Sequence, residues 1–102
     1  MLDINGKTYE LKYTVGRIRM IEDTLGISLM ATMVNANGML SISQLCNFIA
    51  FGLKEKGKEG YVDFNEGMKI ADELLEKKGY ANLNVMVIEA VQRDCPFFYQ
   101  AD

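Results

Sequence analysis

A chain of 102 residues, 49% hydrophobic and 25% charged, has room for one ordinary domain and excludes a second, so residues 1–102 are expected to fold as a single unit. Its net charge is −3 with cations and acids interleaved, which excludes a nucleic-acid surface built on clustered cations. No apolar run approaches the roughly 20 residues that a bilayer span requires, and the N-terminus lacks the charged start and apolar block of a secretory signal, so a soluble, cytoplasmic protein is expected.

The first local signal is a hairpin over residues 2–13. Asn5-Gly6 supplies the positive φ angles of a two-residue turn, placing Ile4 opposite Lys7 and Leu2 opposite Tyr9. Leu2, Ile4, Tyr9, Leu11 and Tyr13 then share a dry face, and Asp3, Thr8, Glu10 and Lys12 a wet one. A lone hairpin is marginal in water, so the dry face must lie on helices, and the outer edge is open to pairing with another chain.

Thr14 can cap a helix from Val15 to Leu25 that Gly26 ends, with Val15, Ile18, Ile21 and Leu25 as its buried stripe. Met20 falls nearly opposite, among Arg17, Asp23 and Thr24, as a candidate exposed contact. Ser28 can cap a short helix through Met33, and Asn35-Ala36-Asn37-Gly38 reads as a turn.

The next helix has apolar residues on nearly every side. Ser41 and Gln44 form a capping box, Leu45, Phe48, Ile49 and Leu53 make one face, and Cys46, Ala50 and Phe51 widen it. Only Gln44, Asn47 and Lys54 look wet. A helix of this kind belongs at the centre of a core. The charged segment from Lys54 to Gly60 has almost nothing to bury and is expected to be an exposed, mobile loop.

Asp63 and Glu66 open a further helix with Phe64, Met68, Ala71, Leu74 and Leu75 on its apolar face, closed by Lys77, Lys78 and Gly79. Asp63, Asn65 and Gly67 look like the start of a calcium loop, but Met68 and Leu74 stand where such a loop needs glycine and glutamate. Asn82 is expected to cap the last helix, whose face is Leu83, Met86, Val87, Ala90 and Val91, and Pro96 stops it. Phe97, Phe98 and Tyr99 either fold back as a lid on the core, which is the expectation, or offer an apolar patch to a partner. The fold class is therefore α+β and mostly α: an N-terminal β-hairpin packed on a bundle of four to five helices.

The chain has no histidine, the commonest general base and metal ligand. It also has no phosphate-binding glycine loop, no serine elbow and no Cys-His pairing, and Cys46 and Cys95 read as reduced, partly buried thiols. Glu22, Asp23, Glu66, Asp72, Glu73 and Glu76 fall on wet helix faces, with Glu73 spaced to pair with Lys77. No catalytic role, metal or cofactor is expected. The seven methionines are the odd feature of the composition, because methionine adapts to irregular apolar partners.

The order of elements carries a resemblance. The hairpin Ile4-Asn5-Gly6-Lys7-Thr8-Tyr9-Glu10-Leu11 leads into the helix Ile18-Arg19-Met20-Ile21-Glu22-Asp23-Thr24-Leu25-Gly26. The helix start Leu40-Ser41-Ile42-Ser43-Gln44-Leu45, the capped helix after Val62-Asp63-Phe64 and the helix from Leu83 to Arg93 follow. Over roughly residues 2–95 this order and spacing resembles the tail assembly chaperones of long-tailed bacteriophages and prophages. The resemblance implies a non-enzymatic protein that binds the tape measure protein, keeps it soluble, helps recruit tail tube protein and leaves the finished virion. It brings no motif of functional residues. The candidate contacts come from the residues themselves: Met20, Met30, Met33, Phe97, Phe98 and Tyr99, with self-association into a homo-oligomer to protect them. The competing expectations are a head-tail connector or tail completion factor retained in the virion, and a helix-turn-helix regulator, which lacks its cationic helix here.

Overall fold

A computed structural model describes residues 2–35 and 38–98. The chain runs β1 (Leu2–Ile4), β2 (Lys7–Leu11), α1 (Val15–Leu25), α2 (Leu29–Asn35), α3 (Ile42–Gly52), β3 (Leu53–Glu55), α4 (Phe64–Lys78) and α5 (Tyr80–Asp94), ending in a 3-10 turn at Pro96–Phe98. The fold is α+β and mostly α, with the N-terminal hairpin lying on helices as expected.

Asn5 at φ 51 and Gly6 at φ 77 close the hairpin, and the register pairs Leu2 with Tyr9 and Ile4 with Lys7. Leu2, Ile4, Tyr9, Leu11 and Tyr13 are all buried. The sheet has a third strand where the sequence predicts the end of the central helix, at Leu53, and the start of the charged loop: β3 pairs Leu53 with Leu11, Lys54 with Glu10 and Glu55 with Tyr9. The edge of β2 is therefore covered from within the chain, and Val62 N–H in turn donates to Leu53 O at 3.0 Å on the far side of β3. Exposure is confined to residues 56–60, behind a turn in which Gly57 takes φ 87.

The capping box forms at Ser41 and Gln44, and α3 runs through the middle of the core. Every residue from Leu45 to Gly52 is buried, so Asn47 is not wet; its Nδ2 donates to Ser43 O at 2.9 Å, which satisfies it locally. Helix α3 packs on α1, α4, α5 and β2. The approach of α4 depends on Gly67, where a Cβ would lie 3.0 Å from Ala50 Cα.

Three further details depart from the sequence reading. Val15 is 52% exposed because α1 buries only Ile18 and Ile21, a narrower stripe than the wheel implied. Helix α5 starts at Tyr80, directly after Gly79, whose φ of 82 ends α4 and turns the chain in one residue. Asn82 consequently lies inside the helix and donates to Lys78 O at 2.8 Å instead of capping. Glu73 accepts a hydrogen bond from Asn5 Nδ2 at 3.2 Å, tying α4 to the hairpin turn. Among the described residues no helix is long and apolar enough to cross a membrane.

Candidate functional site

Residues 24–53 contain no Asp, Glu, Lys or Arg, in a chain that is a quarter charged overall. The second half of that run is α3, whose burial accounts for its composition. The first half is α2 and the corner between α2 and α3, and much of it faces solvent.

The corner is built rigidly. Gly38 N–H donates to Met33 O at 2.9 Å, holding the chain against the last turn of α2. Asn84, buried on α5, donates from Nδ2 to Gly38 O at 2.7 Å and accepts from Leu40 N–H at 3.1 Å on Oδ1. The Tyr80 hydroxyl donates to Leu40 O. The backbone on both sides of Met39 is thereby clamped, with Leu40 turned into the core and Met39 turned out at 53% exposure. Ile42, the first residue of α3, is 58% exposed, and Met30 on α2 is 37% exposed. Met33 is half-buried against the core. The result is a charge-free stretch of chain with exposed apolar side chains, in which Met39 is carried on a clamped backbone. Loss of charge and enrichment in methionine are the compositional marks of an interface core.

Of the residues singled out from the sequence, Met30 and Met33 lie in this charge-free stretch, on α2. Met20 is exposed on α1 opposite Ile18 and Ile21, but Arg17, Arg19 and Asp23 surround it. Phe97 is exposed and lies against Phe98 with ring centroids 4.8 Å apart, while Phe98 packs on the core, so half of the expected lid forms. Tyr99 lies outside the described residues. The 3-10 turn follows Asp94, whose carboxylate holds Tyr13 N–H, whereas Asn84 holds the methionine corner. Ten residues of helix, about 15 Å, separate the two, so the aromatic end and the corner are separate features. The sequence reading missed Met39 and Ile42. The charge-free run would have found them, because it crosses the element boundaries at which helix wheels stop.

A groove between β2 and α5, lined by Leu2, Leu11, Met86 and Ala90, differs in kind, since Glu10, Lys12, Glu89 and Arg93 ring it. Arg93 closes that end: its Nε and Nη2 bind the two Asp94 oxygens at 2.7 and 2.8 Å, and Nη2 also donates to Leu11 O at 2.5 Å. The guanidinium, followed by the Tyr13 N–H, holds the Asp94 carboxyl below its usual range against a partial opposing effect of burial.

Both cysteines are free and buried. Burial pushes each thiol up, and Asp72 beside Cys46 and Asp94 beside Cys95 push further, so both stay protonated and non-nucleophilic at neutral pH. Burial likewise raises the Tyr13 phenol, whose hydroxyl donates to Phe48 O at 2.7 Å. Among the described residues no group of three or more His, Cys, Asp or Glu could hold a metal ion. The surface offers apolar contact.

No protein-family model, curated protein or solved structure matches this chain.

Proposed function

We propose that this chain is a non-enzymatic assembly chaperone of phage tails, acting in the host cytoplasm, that binds the tape measure protein and helps recruit tail tube protein around it. The observation that supports this reading is the charge-free stretch from α2 into α3, along which Met30, Met39 and Ile42 are exposed and Met33 is half-buried. A long client with repeated apolar helical segments needs a holder that accepts many similar sequences. Methionine side chains re-pack around irregular apolar shapes, and the lack of charge avoids stranding an unpaired ion beneath a bound helix. The order of elements that resembles the tail assembly chaperones supports the same reading. Self-association through this stretch would cover it when no client is bound.

The test is co-expression with the tape measure protein of the same gene cluster, followed by affinity capture and comparison of client solubility. Co-purification with rescued solubility is expected, together with absence of the chain from purified virions. An insoluble client with no chain bound, or the chain detected in particles, would instead favour a virion component such as a connector or completion factor.

A further inference from the structure

Helix α5 buries Leu83, Val87, Ala90 and Val91 against the core. On its outward side Val85 is 54% exposed, with Met86 and Ile88 partly exposed beside it. Charge is divided across this apolar patch. Lys77 and Lys78, in the last turn of α4, line a shallow depression with Asn82, Val85 and Met86. Glu89 and Glu10 line the next one, which begins at the same Met86 and runs toward Lys12 and Arg93.

The charges nearest the patch are not used within the chain. Among the described residues Lys77, Lys78 and Glu89 make no ion pair. Glu89 stands four residues before Arg93, a spacing at which the two would ordinarily pair on a helix. The guanidinium is instead taken by both Asp94 oxygens and by Leu11 O. An apolar centre with cations on one side and an acid on the other is complementary to a copy of itself, because a two-fold axis through the centre lays the cations of each copy over the acid of the other. Asn82 and Glu89 are about 10 Å apart along the helix with Val85 between them. An axis near Val85 therefore sets Glu89 of one copy against Asn82 of the other, in the depression that Lys77 and Lys78 border.

We propose that this side of α5 is a homodimer interface. Two copies pack antiparallel about a two-fold axis near Val85, with Val85, Met86 and Ile88 at the centre and Lys77 and Lys78 of each copy against the partner's Glu89. The patch lies outside residues 24–53, and the inference does not rest on client binding. Its apolar centre is small, so the dimer is weak and salt-sensitive, with charge setting the register.

Sedimentation equilibrium of the free, full-length chain tests it, so its failure would leave the client reading standing. A monomer–dimer equilibrium is expected, its dissociation constant rising about threefold or more between about 0.05 and 0.5 M salt. Every residue substituted here is exposed, so the core is untouched. Val85→Glu should raise the dissociation constant about tenfold or more, by setting two charges together at the axis. Lys77→Glu with Lys78→Glu should weaken the dimer, and so should Glu89→Lys, since each sets like charges together. Mixing those two variants, or combining all three substitutions in one chain, should restore association, because each junction again joins opposite signs. A chain that stays monomeric up to about 1 mM, a dimer indifferent to Val85→Glu, or reversed variants that fail to rescue one another would overturn the inference.

Discussion

The Tyr13 ring lies directly over Gly52: a Cβ built on Gly52 would sit 2.5 Å from Tyr13 Cζ and 2.7 Å from its hydroxyl oxygen. The same hydroxyl donates to Phe48 O one turn earlier on α3, so the ring cannot slide away without losing a buried hydrogen bond. The end of β2 is thus keyed into the end of α3 at the point where the chain turns into β3. Gly52→Ala should cost about 3 kcal/mol, from overpacking against a ring with no room to move. Urea unfolding midpoints check it. Tyr13→Phe removes the hydrogen bond that pins the ring, which can then yield to the added methyl, so in the double variant the two costs should fall short of their sum.

Asp94 joins the C-terminus of α5 to this key through Tyr13 N–H and the Arg93 guanidinium. Its folded pKa is depressed, so its contribution to stability is fully present above the unfolded carboxyl range and is lost as the pH falls through the lower, folded value. Asp94→Asn should therefore be less stable than the parent at neutral pH. The gap should narrow as the pH falls from about 6 to about 3, because the parent alone loses this contribution. Thermal midpoints across that range measure it, and a gap that stays constant would refute the assignment.

The hairpin, the caps at Thr14, Ser28, Ser41 and Asp63, and the central place of α3 were legible because each depends on residues within a few positions of one another. Strand β3 was not. Leu53 fits the spacing of the α3 face as well as it fits a strand, and only its pairing with Leu11, 42 positions away, decides between them. The same limit explains Val15: a helix wheel gives the phase of a buried stripe but not its width, which is set by how α1 meets α3. Asn82 looked like a cap because Asn is a good one, yet the left-handed Gly79 had already turned the chain. At the candidate site, Met30 and Met33 were found as methionines, from composition. Met39 and Ile42 were missed, because they flank a clamp whose other half, Asn84, is on α5.

That clamp makes its own prediction. Asn84→Leu keeps the branched outline of the side chain but leaves the buried Leu40 N–H and the part-buried Gly38 O without their Asn84 partners, at a cost of about 3 kcal/mol. Asn84→Asp retains an acceptor for Leu40 N–H but sets an oxygen against Gly38 O, and should also destabilise. Either variant should free the backbone around Met39, read as faster exchange of the Leu40 amide relative to amides of α4.

Cys46 and Cys95 should resist a thiol reagent in the folded chain and react completely in urea, since both are buried and both thiols are pushed up. Mass spectrometry after brief labelling distinguishes the two sites. Rapid labelling of Cys95 without denaturant would show that the C-terminal turn opens independently of the core.

The exposed residues of the charge-free stretch can be separated from the fold that carries them. Met39 and Ile42 are both more than half exposed, so Met39→Ser with Ile42→Ser should change unfolding free energy by no more than about 0.5 kcal/mol each. Val85 on α5 is 54% exposed but lies outside the charge-free run, which makes Val85→Ser the matched control. If this stretch holds the client, the double variant should lose capture of the tape measure protein about tenfold or more while the control retains it. Burying two apolar side chains of this size contributes about 1.5 to 3 kcal/mol each, and most of that should appear in the dissociation rate. Equal capture by both variants would move the contact away from the α2–α3 corner, with Met20 and Phe97 among the exposed apolar positions to scan next.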